Sequence, residues 1–299
     1  MTYTSLSDYC KDTFGEKLYK LSLDSGCTCP NRDGLLDTRG CLFCSAGGSG
    51  DFAERDVDRA KARVADKYSG ERYIAYFQSY SGTYPGKDGS FEKLRERYLA
   101  TIRRPDVAVL SIATRPDCLG PEVLALLKEL RAVKPVWVEL GLQTSNEETA
   151  EYIRRCYKNE VYEEAVRTLK AMDIPVVTHL ILGLPGETAE DMEASLRYAC
   201  DCGTWGLKLQ LLHVLEGTDL GEQYKAQEQG TPLPGARPVK PLTLEEYTAL
   251  LCRLLPQVPE DVVIHRLTGD GPKRILLAPL WSGNKKLVLN TIHKARREQ

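Results

Sequence analysis

The sequence has no long hydrophobic run and almost no net charge. Its longest apolar stretch has about five residues, far below the ~18 that cross a bilayer, so no transmembrane helix is expected. Acidic residues interrupt the apolar positions of residues 1–25, so neither a signal peptide nor a transit peptide is expected. We therefore expect a cytoplasmic protein that makes no membrane contact.

The near-zero net charge restricts how the protein could contact nucleic acid. Forty Lys and Arg residues stand against 42 Asp and Glu residues, which gives a net charge of −2. Such a balance predicts no strong field around the whole molecule, so nucleic-acid binding would require a local basic patch. Residues 285–299 are a candidate, because they carry five Lys and Arg residues and one acidic residue, Glu298.

Cysteine, by contrast, is abundant. The chain has ten cysteines, and four of them fall within a short segment: Cys27, Cys29, Cys41 and Cys44. Without a secretory signal, a disulfide framework is disfavoured, and clustered cysteines indicate metal binding or catalysis. The other six are scattered, as expected mainly of small core residues.

Short apolar runs alternate with amphipathic stretches along most of the chain. The predicted strands lie at 17–23, 72–78, 107–113, 135–142, 175–182 and 206–212. The predicted helices between them lie at 55–68, 90–102, 121–133, 146–171 and 188–202. Consecutive strand–helix units with right-handed crossovers curl a parallel sheet into a barrel or most of one. The sequence therefore predicts an α/β fold of TIM type.

The pattern changes near residue 215. Residues 216–242 are rich in Gly, Pro and Gln and predict a long loop or linker. A helix at 243–256, a strand at 261–266 and a basic helix at 284–298 then predict a small α/β extension. We therefore divide the chain into a barrel of residues 1–215 and a C-terminal extension of residues 216–299.

The cysteine segment follows the first predicted strand and admits two metals. Cys27, Cys29, Cys41 and Cys44 could hold a structural tetrahedral zinc, whereas three thiolates could hold a 4Fe–4S cluster with one iron open. Active sites of βα barrels lie on the loops after the strands, which favours the cluster. The zinc alternative corresponds to a zinc-stabilised nucleic-acid-binding protein without redox chemistry.

Two parts of the cysteine segment resemble the YhcC/YtqA-like family of radical S-adenosylmethionine (SAM) enzymes. They read Cys-Pro-Asn-Arg-Asp-Gly from Cys29 and Gly-Cys-Leu-Phe-Cys up to Cys44. The aromatic Phe43 before the last cysteine is typical of radical SAM clusters. The resemblance continues through residues 76–80, 113–117, 139–143, 179–187 and 266–270. More distantly, the core is similar to the radical SAM domain of the Elongator catalytic subunit, which acts on the wobble uridine of tRNA.

The resemblance implies a partial (β/α)6 barrel with two cofactors. Cys29, Cys41 and Cys44 would ligate three irons of a 4Fe–4S cluster, and SAM would chelate the fourth. One electron, from a reductase or a flavodoxin- or ferredoxin-type donor, would split SAM into a 5′-deoxyadenosyl radical that abstracts hydrogen from the substrate. Cys27 would be a spectator.

The resemblance also places SAM on the loops after three strands. Gln78 and Ser79 would meet its methionine amino group, by backbone carbonyls because the usual Gly-Gly-Glu-Pro stretch is missing. The ribose is assigned to Gln143 and Ser145, and the adenine to Leu182 and Gly183. The alternatives are a plain turn at 78–79 and a helix N-cap at 145–148. Catalytic residues are not assigned.

Polar residues inside the predicted strands suggest a polar barrel interior. Strand alternation points Glu139, His179 and Lys208 inward. Buried charges need partners, so these three predict either a mutual structural network or a polar floor that orders SAM or substrate. Arg115, after the third strand, predicts either a carboxylate or phosphate contact or a helix cap.

Absent motifs narrow the subclass. Only Cys252 lies beyond Cys202, so a cysteine-rich domain for auxiliary clusters is not expected, and without an Asp-x-His-x-x-Gly motif cobalamin is not expected either. The Elongator resemblance and the basic segment 285–299 together predict a tRNA substrate, modified at a side chain on C5 of the wobble uridine.

Overall fold

The structure is a computed structural model that describes residues 3–269 and 271–297. Its strands are β1 (Thr4–Ser5), β2 (Tyr19–Leu23), β3 (Tyr73–Phe77), β4 (Val107–Thr114), β5 (Val136–Gln143), β6 (Val176–Leu182), β7 (Gly206–Leu211), β8 (Val214–Leu215), β9 (Val263–Arg266) and β10 (Leu276–Ala278). Its helices are α1 (Leu6–Phe14), α2 (Val57–Ala62), α3 (Phe91–Ile102), α4 (Pro121–Arg131), α5 (Glu147–Tyr152), α6 (Asn159–Ala171), α7 (Ala189–Asp201), α8 (Asp219–Glu228), α9 (Leu244–Leu254) and α10 (Lys285–Arg297). Within that part of the chain, no helix meets the length and hydropathy required of a membrane span.

Eight strands form one parallel sheet that curls into a half-barrel. Their order across the sheet is β1-β9-β7-β6-β5-β4-β3-β2. The partners Leu21, Ala75, Leu110 and Val136 are in register across β2 to β5. The α/β fold and the partial TIM-type barrel predicted from the sequence are confirmed, and all six strands predicted in the first 215 residues are present.

The two faces of the sheet differ in character. Outward-facing side chains such as Leu140, Leu180 and Leu209 are fully buried and belong to one large core with Leu169 of α6 and Leu196 of α7. Burying each such leucine contributes about 1.5–3 kcal/mol. Because strand neighbours point to opposite faces, the intervening residues point into the barrel interior, where many are polar. The helices therefore cover one face and leave the other for the site.

One predicted element lies elsewhere than expected. The strand predicted at 261–266 in the extension is β9, which pairs with β7 on one side and β1 on the other. Parallel pairing of Val263 with Gly206 satisfies backbone groups that β7 would otherwise leave open. The extension thus supplies a strand to the barrel sheet, and the division at residue 215 stays a prediction.

Three helical details also differ from expectation. The predicted loop at 216–242 contains α8, whose first turn is capped by the Thr218 hydroxyl, which accepts from the Gly221 amide. The predicted helix at 146–171 is divided into α5 and α6, and Arg154 and Cys156 between them have positive φ. Helix α1 was not expected. The Thr188 cap of α7 is confirmed, with Asp191 completing a capping box.

Candidate active site

A cavity of about 1020 Å³ is lined by the inner face of the sheet and by the loop that follows β2. The two ends of this loop, residues 24–54, are hydrogen-bonded to each other beside the end of β2. The Asp24 amide donates to the Glu54 carbonyl at 2.9 Å, and the Glu54 amide donates to the Ser22 carbonyl at 3.0 Å. The long cysteine loop is therefore pinned to the carboxyl end of β2, beside the cavity.

The loop divides its four cysteines between two environments. Cys29, Cys41 and Cys44 line the cavity. Cys27 is buried in the hydrophobic core, and its Sγ lies 3.4 Å from the Gly82 carbonyl oxygen. Three thiols thus share one cavity wall while Cys27 belongs to the packing behind it.

Backbone hydrogen bonds hold Cys41 and Cys44 in place. The Cys44 amide donates to the Cys41 carbonyl at 2.9 Å, which closes a turn around Leu42. Leu42 is buried, its amide donates to the Ile153 carbonyl at 3.0 Å and its carbonyl accepts from the Leu220 amide at 2.9 Å. An anchored apolar residue between two cysteines therefore fixes both thiols at the cavity.

Two residues just after Cys29 brace the same turn. The fully buried Asn31 donates through Nδ2 to the Arg154 carbonyl at 2.8 Å, and the same nitrogen lies 3.7 Å from Cys41 Sγ. Arg32 donates to the Cys44 carbonyl at 2.7 Å and to the Ser45 carbonyl at 2.8 Å. Both residues belong to the sequence motif that begins at Cys29, but the motif alone did not predict that they brace this turn.

The thiols fit a soft metal centre in their chemistry. Burial, with the nearby Cys44, raises the pKa of Cys41 to about 12, and burial also raises the pKa of Cys44. Both are therefore neutral thiols at pH 7 unless a cationic centre stabilises the thiolates. Among residues 3–269 and 271–297, no set of three or more His, Cys, Asp or Glu side chains is arranged to hold a single metal ion. The four-thiolate arrangement expected of zinc is not seen there.

Glu139 is the centre of a buried polar network inside the barrel. Its Oε1 accepts from Lys20 Nζ at 2.8 Å and from Ser111 Oγ at 2.6 Å. Its Oε2 pairs with His179 Nε2 at 2.7 Å and with the Lys208 ammonium. The mutual network predicted for Glu139, His179 and Lys208 is therefore present, and these side chains also line the cavity.

The charges of this network are strongly coupled. Burial raises the pKa of Glu139, but Lys20 and Lys208 outweigh it and hold that pKa well below its usual range. Burial, with Lys208 nearby, lowers the pKa of His179 to about 4. The Tyr76 ring lies under both ammonium groups, 4.0 Å from Lys208 Nζ and 4.8 Å from Lys20 Nζ. The network thus holds an ionised carboxylate and a neutral histidine at pH 7.

Two of the six expected SAM contacts line the cavity, Gln78 and Gln143. Gln78 ties the cysteine loop to β2, since its Nε2 donates to the Ser49 carbonyl at 3.1 Å and its Oε1 accepts from Ser22 at 3.2 Å. Gln143 has a positive φ of 68°, and its buried Oε1 has no hydrogen-bond partner among the described residues. An unpartnered acceptor of this kind suits a ligand hydroxyl.

The other four expected contacts are not among the residues that line the cavity. The Ser145 hydroxyl lies 3.1 Å from that of Ser195, and the next residue is the N-cap of α5, as the helix-cap alternative predicted. Gly183 has a φ of 90° and stands against Leu242. The two remaining positions are buried side chains, Ser79 and Leu182.

The Arg115 side chain forms an ion pair with a nearby residue, Asp117. It donates to both carboxylate oxygens of Asp117, at 2.9 and 2.7 Å, so it contacts a carboxylate and does not cap the following helix. Its guanidinium lies 4.8 Å from the Tyr157 ring, and the Arg155 guanidinium is equally far from the same ring. Sequence reasoning missed Tyr157 and the buried Arg155, because the contact with Arg115 joins two loops that are far apart in the sequence.

The basic helix α10 borders the cavity. Its Val288 and Ile292 are fully buried against the core, whereas Lys285 and His293 line the cavity. Helix α10 therefore combines a packing face with a charged one. Glu298 of that segment and Asp270 of the quoted motifs lie outside the described residues.

Comparison with known proteins supports the family suggested by the cysteine motif. The Radical SAM superfamily model matches residues 38–199, and the Radical_SAM C-terminal domain model matches residues 204–298. The chain is 40% identical to protein YtqA of Bacillus subtilis over 98% of this chain and 88% of that one. It is 33% identical to protein YhcC of Escherichia coli K12, covering 91% and 85% of the two chains.

More distant relatives share the core. A tRNA uridine(34) acetyltransferase of Methanocaldococcus jannaschii is 29% identical over 67% of this chain and 35% of its own length. Among solved structures, Methanocaldococcus infernus Elp3 superposes with a TM-score of 0.61 at 18% identity, over 93% of this chain and 63% of that chain. Methylornithine synthase superposes with a TM-score of 0.54 at 12% identity, over 97% and 86%. At these identities the two superpositions establish the fold alone.

Proposed function

The chain belongs to the radical SAM superfamily, whose members use a 4Fe–4S cluster and SAM, and on that premise we propose that Cys29, Cys41 and Cys44 hold the cluster. The observation that supports this most directly is the separation of these three thiols, on one cavity wall, from Cys27 in the core. When bound, the cluster and SAM supply one-electron cleavage of the SAM carbon–sulfur bond and a radical that abstracts hydrogen. The electron would come from a reductase or a flavodoxin- or ferredoxin-type donor.

The residues around the cysteines have supporting roles. Asn31 Nδ2, 3.7 Å from Cys41 Sγ, supplies a weak hydrogen bond to a ligand sulfur, which influences the potential of an iron–sulfur cluster. Arg32 neutralises part of the negative charge that three thiolates would bring, because its guanidinium lies on the Cys44 and Ser45 carbonyls.

SAM would be held by the cavity walls next to the thiols. Gln143 Oε1, buried and unpartnered among the described residues, accepts from a ribose hydroxyl. Backbone groups at Gln78 and Ser79 lie on the loop after β3, where the methionine amino group is expected. Ser145 remains proposed for the ribose, and Leu182 and Gly183 for the adenine, although none of the three is among the residues that line the cavity.

The Glu139 network serves this site by placing ordered charged groups on the cavity wall inside the barrel. Both lysines keep donors beyond those used on Glu139, so polar substrate groups can be bound there. His179, neutral at pH 7, keeps its hydrogen bond to Glu139 without adding a further positive charge.

For the substrate we propose a tRNA, modified at a C5 side chain of the wobble uridine. Support comes from the similarity to proteins named tRNA uridine(34) acetyltransferases, over about a third of their length, and from the basic helix α10 beside the cavity. Lys and Arg gathered on one element contact phosphates even when the net charge is near zero.

The test compares modified nucleosides in tRNA from cells with and without this protein. Loss of one wobble-uridine derivative, restored by the wild-type gene and not by a Cys41→Ala variant, is the expected result. Unchanged nucleosides, with SAM cleavage intact in the purified anaerobic protein, would remove the tRNA substrate and leave the radical SAM class.

A further inference from the structure

A second groove, of about 1030 Å³, lies beside the main cavity between the cysteine loop and the segment before α10. We propose that this groove binds a single-stranded RNA segment, with Lys273 and Arg274 contacting phosphates and Phe52 stacking on a base. The inference rests on the proposed tRNA substrate and names where that substrate would be held. We call the groove the side groove.

The charge of the side groove sets it apart from the molecule as a whole. Of the eleven described residues that line it, four are cationic, Arg63, Lys273, Arg274 and Lys285, and one, Asp51, is acidic. The whole chain carries a net charge of −2. Arg63 is already paired with Glu54 at 2.7 Å. A local excess of positive charge on a slightly acidic protein is what a polyanionic ligand requires.

Lys273 and Arg274 lie in a turn that backbone hydrogen bonds join to the neighbouring segment. The Ile275 amide donates to the Pro272 carbonyl at 3.0 Å, which places both basic residues at the centre of the turn. The Ile275 carbonyl in turn accepts from the Glu216 amide at 2.7 Å, and β10, which follows, pairs with β8. Both side chains are exposed, and neither has an ion pair with any residue in the described ranges. Their charges are therefore available to a ligand.

Phe52 adds an apolar ring to this basic surface. Its side chain is 47% exposed, although most large hydrophobic residues of the chain are buried. Its backbone is anchored by one side-chain contact, because the Phe52 carbonyl accepts a hydrogen bond from the Arg63 guanidinium at 3.3 Å. An exposed aromatic ring among cations is the usual combination for stacking unpaired bases beside a charged backbone track.

The side groove is continuous with the main cavity. Six of its lining residues also line that cavity, among them Phe52, Arg63 and Lys285. An RNA segment bound at Lys273 and Arg274 would therefore continue past Phe52 into the main cavity, which the cysteines also line. Double-stranded RNA would not expose a base face to Phe52, so the occupant is an unpaired segment such as a hairpin loop.

The test measures binding of an unmodified, fluorescently labelled RNA hairpin to the anaerobically purified full chain at several salt concentrations. Lys273→Ala with Arg274→Ala should weaken binding and reduce the slope of log K against log salt by about 1.4, since each lost single-strand phosphate contact contributes about 0.7. The matched control is Lys93→Ala with Lys128→Ala, two exposed lysines on α3 and α4 outside the barrel. This control should behave like the wild type.

Stacking has its own signature. Phe52→Ala should weaken binding by about 5-fold to 150-fold with an unchanged salt slope, and Phe52→Trp should retain affinity. If the hairpin binds the wild type but the Lys273/Arg274 variant matches the control, the side groove does not bind RNA, and the proposal of a tRNA substrate is unaffected. If the wild type binds no RNA at low salt, both fail, and SAM cleavage measured without RNA still tests the radical chemistry.

Discussion

Lys20 Nζ lies 2.8 Å from Glu139 Oε1, and this ion pair joins β2 to β5 across the interior of the curled sheet. The two strands are separated by β3 and β4 in the sheet order, so only curvature brings the side chains together. Ser111, His179 and Lys208 reach the same carboxylate from β4, β6 and β7. One buried side chain thus links five strands of the half-barrel.

Replacing Glu139 should therefore destabilise the protein strongly. Glu139→Gln leaves two buried ammonium groups without their counter-charge, and breaking a buried ion pair in this way costs about 3–5 kcal/mol. Ser111→Ala, which removes a single hydrogen bond to the same carboxylate, should cost only about 1–3 kcal/mol. Urea unfolding followed by circular dichroism measures both. Equal losses for the two variants would contradict a charge-based role for Glu139.

Part of this network followed from sequence and part did not. Strand alternation identified Glu139, His179 and Lys208 as inward-facing, because a period of two depends only on local spacing. The same rule applied to β2 points Lys20 and Ser22 inward, and would have found Lys20. That all of these meet at one carboxylate depends on strand order and curvature, which periodicity does not contain.

The cysteine site shows the same division. The spacing identified Cys29, Cys41 and Cys44, but the bracing contact from Asn31 to the Arg154 carbonyl joins residues 123 positions apart. Similarly, the strand at β9 was predicted, while its place in the barrel sheet was not, since strand pairing is non-local. Helix α8 was not predicted, because nearby Gly and Pro residues dominate the average composition of residues 216–242.

The buried Glu187 should make the stability of the protein depend on pH. Burial raises its pKa to about 7, and its Oε2 has no hydrogen-bond partner in the described part of the chain. The folded state then binds a proton that the unfolded state releases near pH 4.5, so the free energy of unfolding falls as pH rises from about 4.5 to about 7. Glu187→Gln removes this titration. Its stability relative to wild type should increase across that window, by up to about 3 kcal/mol.

The control for Glu187 has the opposite sign. Hydrogen bonding to Arg253 lowers the pKa of Glu190, so its contribution is present at neutral pH and is lost on acidification. Glu190→Gln should therefore lose stability relative to wild type as pH rises. Urea unfolding of the three proteins across pH 4 to 8, in the same buffer series, separates the two cases. Parallel pH profiles for Glu187→Gln and wild type would contradict the assignment.

The three cavity cysteines should differ from Cys27 in a measurable way. Cys29→Ala, Cys41→Ala and Cys44→Ala should each lose the iron content and visible absorption of the anaerobically reconstituted protein, and SAM cleavage with them. Cys27→Ala should keep the iron, the visible absorption and SAM cleavage, with a modest loss of stability from the small cavity left in the core. Iron analysis and product detection after reduction check this. Loss of iron in Cys27→Ala with retention in Cys29→Ala would show that the ligand set is wrong.

The charges of helix α10 should control how salt affects tRNA binding. Deleting residues 285–299 is an unsuitable test, because Val288 and Ile292 are fully buried and their loss would expose the core. Lys286→Ala with Arg297→Ala removes two exposed charges and leaves that packing intact. If both residues contact phosphates of helical RNA, the slope of log K against log salt should become shallower by about 1.8.

A packing variant of the same helix distinguishes charge from stability. Ile292→Val should lower the free energy of unfolding by about 1 kcal/mol and leave the salt slope unchanged, since it alters volume and not charge. The measurement is equilibrium binding of unmodified tRNA at several salt concentrations, with unfolding curves for each protein. A wild-type slope in Lys286→Ala/Arg297→Ala would mean that α10 faces solvent when tRNA is bound. A reduced slope in Ile292→Val would instead mean that binding responds to the fold of the helix and not to its charges.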